Sequence, residues 1–262
     1  MGAITVLVLF PLLAALAVLL VKEDEVRNKI VRVSAGITAA LTLIVVCLFF
    51  HKGIAYSYRL ETVIDLVMAV VEVVLAAYII TIGIRYKNYA ISVLSFLQTA
   101  AILCFELTAK RQIEVENAIV FDKLTAIMVV IVGVVGSLIC IYAVGYMKTY
   151  HIHHTEYEDR KGFFFAVLFL FLSAMFGIVL SNQLTWMYFC WELTTFCSYL
   201  LIGYTKTKEA RNNSFRALFI MGRDPVEHAK RAKYKPPAMR VRGVCYTKKS
   251  PFRYNKVVQA NL

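Results

Sequence analysis

Seven apolar runs, each about the length needed to cross a bilayer, follow one another through the first four fifths of the chain. They lie at Ala3–Val21, Ile30–Phe50, Thr62–Ile84, Tyr89–Leu107, Leu124–Met147, Phe163–Ser181 and Leu184–Tyr204. A helix spanning about 30 Å of hydrocarbon needs roughly 20 such residues. None of the runs alternates with period 2, as a membrane β-strand would, and barrel strands are about half as long. The pattern predicts an all-α, polytopic transmembrane bundle of about seven spans. Composition agrees: 60% of residues are hydrophobic and 18% charged, against about 45–50% and 25% in soluble domains. The first run starts without a basic leader and has no small-residue cleavage site before Lys22, so a retained first helix is expected.

The formal charge of +12 would suggest nucleic acid in a soluble protein. Here it is concentrated after Gly222, where eleven Lys and Arg face only Asp224 and Glu227. No aromatic RNA-binding motif, zinc knuckle or phosphate loop accompanies it, and no nucleic-acid partner is expected. With Pro225, Pro236 and Pro237 as helix breakers, residues 221–262 are predicted to form a basic, mostly irregular, disordered soluble tail. The remainder divides into N-terminal helices over 1–120 (four spans) and a core over 121–220 (three spans).

Basic residues follow the odd-numbered spans: Lys22, Arg27 and Lys29, then Arg85 and Lys87, then Lys148, Arg160 and Lys161, then the tail. The other side carries Lys52 and Arg59, then Lys110, Arg111 and Lys123. The bias places the N-terminus outside and the tail in the cytoplasm of a cell inner membrane. The six cysteines show no C-x-x-C pair and read as small hydrophobes. His151, His153 and His154 share the loop after the fifth span. Zinc ligation and plain exposure are both open there, and exposure is favoured because three or four ligands are needed.

The sharpest chemical signal is Glu192, near the middle of the seventh span. A carboxylate at that depth is disfavoured by roughly 2.5–3.5 kcal/mol, so it demands partners, water or protonation. At 3.6 residues per turn, Thr185, Tyr188, Glu192, Thr195 and Tyr199 fall within an arc of about 80°. The hydroxyls of Tyr188, Thr195 and Tyr199 could hold water beside a proton-carrying acid; interhelical hydrogen bonding is the plainer alternative. Glu72, mid-span in the third helix with Asp65 a heptad earlier, is a weaker candidate for the same path. Glu106 falls at a span end and reads as interfacial.

Several short motifs resemble one family. They are Phe121-Asp122-Lys-Leu-Thr, Tyr142 to Met147, Phe163-Phe164-Phe165, Ser181-Asn182-Gln-Leu-Thr-Trp-Met-Tyr, Trp191-Glu192, Cys197-Ser-Tyr-Leu-Leu-Ile-Gly-Tyr204 and Arg216-Ala217-Leu218-Phe219-Ile220. In this order they resemble the antiporter-like membrane subunits of respiratory complex I, most closely the chain 5 or subunit L branch. That superfamily includes subunits of Mrp-type Na⁺/H⁺ antiporters and energy-converting hydrogenases. The resemblance implies proton or Na⁺ translocation coupled to electron transfer in an NADH:quinone oxidoreductase-like complex, alongside other membrane subunits. It implies no NADH, flavin or iron–sulfur cofactor and no redox active site in this chain. In the family the glutamate after tryptophan pairs with a lysine two helices later, so the role passes to Glu192 alone. The resemblance stops at Ile220, which implies a truncated or frameshifted reading of a longer gene. Two alternatives follow: a component of a cation/proton antiporter or membrane-bound hydrogenase, or a transport-inactive structural fragment. The spans at 62–107 depart from the subunit L layout.

Overall fold

The computed structural model describes the backbone of residues 2–52, 56–58, 62–87, 89–108, 119–154, 159–233, 238–241 and 244–247. Side chains are described over 4–51, 68–87, 89–100, 119–154, 159–183 and 185–220. The elements are α1 (Gly2–Leu20), α2 (Asp24–Lys52), β1 (Tyr56–Tyr58), α3 (Thr62–Arg85), α4 (Tyr89–Thr108) and β2 (Ile119–Phe121). Then come α5 (Lys123–Val130), a π-helical turn at Ile131–Val135, α6 (Gly136–His153), α7 (Lys161–Leu180), α8 (Leu184–Ile202) and α9 (Lys208–Lys233). The protein is an all-α, multi-pass membrane helix bundle. Among the described residues, four helical stretches are long and apolar enough to cross a membrane. These are Asp24–His51, Met68–Arg85, Lys123–His153 and Lys161–Leu180, with Ile4–Leu20 and Tyr89–Ala100 as shorter apolar helices.

The described residues fall into two units, 1–222 and 223–262. The first is built on α7, which packs against α1 on one side and α8 on the other, while α2 lies along α5 and α6 and α3 pairs with α4. Phe165, Phe169 and Phe176 of α7 are fully buried with Leu7 and Val18 of α1, Val31 of α2 and Phe121 of β2. On the outside, large apolar side chains such as Leu20, Val33, Phe96, Leu124 and Leu138 are exposed, the inverse of a soluble surface and the arrangement lipid requires. β1 and β2 pair antiparallel, with Tyr56 opposite Phe121. In the second unit β3 (Ala238–Val241) pairs antiparallel with β4 (Val244–Thr247).

Polar groups inside the bundle are used as close-packing glue. Ser34, Thr38 and Thr42 form a buried stripe on α2, with Thr38 donating to the Ser34 carbonyl at 2.8 Å and Thr42 to the Thr38 carbonyl at 2.8 Å. The stripe faces the π-helical turn: a Cβ on Gly133 would lie 2.1 Å from the Thr42 Oγ1 and 2.7 Å from its Cβ. α1 carries an internal proline, Pro11. A proline withholds one helical N–H, and beside it the Val8 carbonyl accepts a hydrogen bond from Ser173 Oγ of α7 at 2.8 Å. Neighbouring hydroxyls commonly serve such interrupted membrane helices.

Two expectations are corrected. The fifth span extends beyond Met147 to His153, so His151 and His153 lie on the last helical turn rather than in a loop. Tyr146 and Tyr150 stack there, ring centroids 6.0 Å apart, and histidines at a helix C-terminus suit its dipole. Pro225 does not end α9, which runs on to Lys233. Proline removes one hydrogen bond and bends a helix, but the following Val-Glu-His-Ala-Lys-Arg-Ala-Lys is rich in good helix formers. Pro236 and Pro237 lie outside the described residues, as do the side chains of Asp65 and Glu106.

At one end of the bundle, charges tie together the α1–α2, α6–α7 and α8–α9 connections. Lys161 Nζ bonds Asp24 at 3.1 Å and Asp159 at 2.8 Å, and Asp24 also pairs with buried Arg27. His151 Nε2 lies 2.8 Å from the Tyr204 hydroxyl. Partial burial by itself would raise the Asp159 carboxyl, but hydrogen bonds from Lys161 and the charges of Lys161 and His151 hold it below the ordinary aspartate value. Its folded-state value is thus depressed, so its stabilisation is complete above the unfolded value of about 3.9 and fades as pH falls below it. Thermal unfolding in detergent should show Asp159→Asn closing the gap to wild type as the pH drops through that window; a constant gap contradicts the assignment. A second measurement tests the packing. Gly133→Ala should destabilise by about 1–3 kcal/mol, because the β-branched Thr42 cannot swing its own Cβ aside. Gly136→Ala should cost less, because its added Cβ meets the flexible Leu172 Cδ1.

Candidate functional site

The α8 sequence Leu-Thr-Trp-Met-Tyr-Phe-Cys-Trp-Glu-Leu-Thr-Thr-Phe-Cys-Ser-Tyr makes a helix because its apolar positions outnumber the polar ones and no glycine or proline interrupts it. Helical spacing of four residues sets Tyr188 one turn below Glu192, and the Tyr188 hydroxyl donates to Glu192 Oε1 at 3.0 Å. The same oxygen accepts from Gln98 Nε2 of α4 at 2.7 Å. Two neutral donors from two helices therefore converge on one carboxylate oxygen. Among the described residues no cation forms an ion pair with it.

Beside this cluster lies a cavity of about 30 Å³ lined by Ile79, Leu94, Ser95, Thr195 and Leu218 together with Gln98, Trp191 and Glu192. A single water needs roughly 10–15 Å³ of such space, so one or two waters fit against the carboxyl group. The Thr195 hydroxyl gives its proton to the Trp191 carbonyl at 3.0 Å, as does Thr194 at 2.7 Å. Toward the cavity Thr195 thus offers acceptor lone pairs and Gln98 contributes amide hydrogens, which together could orient a water.

The structure does not gather every sequence-derived candidate into one contact. Tyr188 is bonded to Glu192, and Thr195 shares its cavity. Tyr199 stands two turns along, stacked on Phe196 with centroids 6.5 Å apart and tilted against Phe215 of α9 at 5.5 Å; it is not among the groups bonded to Glu192. Glu72 of α3 is buried and within electrostatic reach of the Tyr188 hydroxyl, as is Glu192. His151 is engaged with Tyr204, and among the described residues no three His, Cys, Asp or Glu side chains cluster as a metal site would require. Gln98 was not singled out from the sequence. Its signal was an amide in the apolar run of α4, four residues beyond Leu94, but an uncharged polar residue in a span carries little information without the helix facing it.

Comparison with known proteins converges on the same helices. Residues 109–165 match the family described as NADH-Ubiquinone oxidoreductase (complex I), chain 5 N-terminus. Residues 181–223 match the family described as NADH:quinone oxidoreductase/Mrp antiporter, TM. The chain is 42% identical over 102 residues to the chloroplastic NAD(P)H-quinone oxidoreductase subunit 5 of Mesostigma viride, covering 39% of this chain and 14% of that one. It is 34% identical over 151 residues to the subunit 5 of Anthoceros angustus, covering 51% and 20%. With NADH-quinone oxidoreductase subunit L of Rhodobacter capsulatus, identity is 32% over 151 residues, covering 56% and 21%. The matched region thus spans about a fifth or less of these relatives, and Glu192 falls inside the second family match while Gln98 and Glu72 fall outside both. With its motifs in family order and Glu192 on a matched helix, the chain is similar over residues 109–165 and 181–223 to the antiporter-like membrane subunits of the complex I chain 5/subunit L family.

Proposed function

We propose that the chain contributes to proton translocation, or Na⁺ translocation, coupled to electron transfer in an NADH:quinone oxidoreductase-like complex, with Glu192 as its proton-carrying acid. The observation that carries this is the geometry at Glu192: a half-buried carboxyl group on α8, held by two neutral donors, beside a water-sized cavity. An acid in such surroundings exchanges a proton with modest rearrangement. Hydrogen bonds from Gln98 and Tyr188 support the charged form, whereas the low dielectric favours the neutral one. An arginine or lysine locked onto the acid would fix one state; neutral partners leave both within reach.

Each neighbour has a defined part. Tyr188 connects Glu192 with the side of the bundle where Glu72 lies and can pass a proton through its hydroxyl. Thr195 supplies lone pairs to cavity water, and Tyr199 extends the hydroxyl line toward the end of α8. The chain holds no NADH, flavin or iron–sulfur cluster in this scheme; electrons move in other subunits. Partners are further membrane subunits of a respiratory complex, in a cell inner membrane, with the N-terminus outside and the basic tail in the cytoplasm. A second reading, a cation/proton antiporter component without a redox partner, is favoured by the second matched family, whose description names both.

Inverted membrane vesicles containing the intact complex test the proposal. Glu192→Gln should lower the ratio of protons moved to electrons transferred while NADH oxidation continues, and an unchanged ratio would falsify the proton-carrier role. Gln98→Leu keeps the acid and removes one donor to it. Proton flux should then fall by about tenfold or more, the weight of one hydrogen bond to a charged group. Na⁺-driven pH change in vesicles that do not oxidise NADH identifies the antiporter reading instead.

A further inference from the structure

A second cavity, unrelated to Glu192, opens at the end of the bundle where α1 joins α2 and α6 approaches α7. It measures about 440 Å³ and is lined by Asp24, Glu25, Asn28, Lys29, Arg32, Val144, Gly145, Met147, Lys148, Lys161 and Phe165. That volume is within the range of sites that hold small molecules. Four cations line it against two acids, and the cations are not equivalent. Lys161 is already bonded to Asp24 and Asp159. Lys29, Arg32 and Lys148 are exposed and form no ion pair among the described residues.

The position of these three cations decides what they suit. Lys29 and Arg32 lie five and eight residues into α2, and Lys148 lies five residues before the end of α6. At 1.5 Å per residue all three fall within about 12 Å of the helix ends, the depth at which a bilayer places its headgroups. Beyond them along the same helices, Val33 and Ile37 of α2 and Ile141 of α6 are exposed apolar side chains. Gly36 and Gly145 leave the facing surfaces open, because a Cβ on either would meet nothing within 4 Å. Polar lining, apolar floor and open apolar flanks thus follow one another in the order of a lipid molecule.

We infer that the α2–α6 cleft is a binding site for an anionic phospholipid, with Lys29, Arg32 and Lys148 holding the headgroup phosphate and the apolar flank of α2 and α6 receiving an acyl chain. A free phosphate would use the same three cations but would gain nothing from the exposed Val33, Ile37 and Ile141. Basic pockets between membrane helices are established places for such headgroups. Lys161 stays with its aspartates and keeps the α1–α2 and α6–α7 connections together, so occupancy does not require that clamp to open.

The test uses the full chain in detergent, with lipid retention read by native mass spectrometry after addition of phosphatidylglycerol or phosphatidylcholine at equal concentration. Wild type should retain phosphatidylglycerol preferentially. Arg32→Gln and Lys148→Gln should each weaken that preference by about fivefold. Gly145→Leu, which keeps every charge and fills the cleft, should also reduce retention, whereas Lys208→Gln on α9 should leave it unchanged. Thermal unfolding of the wild-type chain in phosphatidylglycerol against phosphatidylcholine vesicles gives a readout that needs no variant, with a higher midpoint expected in the anionic lipid. Equal retention and equal midpoints overturn the inference. Displacement of phosphatidylglycerol by millimolar inorganic phosphate also overturns it, in favour of a free-anion site.

Discussion

A carboxyl group packed among apolar helices is held by the hydrogen-bond donors that the surrounding side chains bring to it. For Glu192 these are Tyr188 on its own helix and Gln98 on α4. The consequence reaches beyond one side chain. α4 lies outside both regions that match known families, yet it supplies the shorter of the two bonds to the acid at 2.7 Å. The α3–α4 pair therefore contributes to the surroundings of Glu192.

The same constraint shapes the scaffold. Helices in lipid gain little from apolar contact with each other, because acyl chains provide equivalent contact; close backbone approach and satisfied polar groups distinguish the packed state. α2 meets the π-helical turn through Ser34, Thr38 and Thr42 opposite Gly133, and α1 meets α7 through Ser173 and the Val8 carbonyl. These contacts are polar or small at the point of nearest approach. Large residues such as Phe165, Phe169 and Phe176 fill the spaces between. The charged clamp of Asp24, Arg27, Asp159 and Lys161 sits where the helices leave the apolar layer, so ionised groups keep access to water.

Much of this was legible in the chain. The run of apolar segments announced an all-α membrane bundle, and Glu192 stood out because a mid-span acid is expensive. The i, i+4 relation to Tyr188 followed from helical geometry and is realised as a hydrogen bond. Thr195 lines the cavity beside Glu192. Tyr199 shares the helical stripe, but its ring is drawn into the aromatic packing of Phe196 and Phe215. The extension of the fifth span through His153 was hidden, because histidines and lysines resemble loop composition when their place at a dipole-favoured helix end is unknown. Helical continuation past Pro225 was hidden for a related reason: one missing N–H does not outweigh the six good helix formers among the eight residues that follow.

The sequence by itself determined the solvent and the element type and singled out Glu192 as the candidate acid, because these depend on the hydrophobicity and spacing of residues close together in the chain. The tertiary structure decided what that acid touches and where space remains. Gln98 lies 94 residues from Glu192, and Lys148 lies 116 residues beyond Arg32 across the α2–α6 cleft. Local periodicity carries no record of which helix faces which. That pairing arises only when small residues, hydroxyls and aromatic rings on different helices settle into mutual contact.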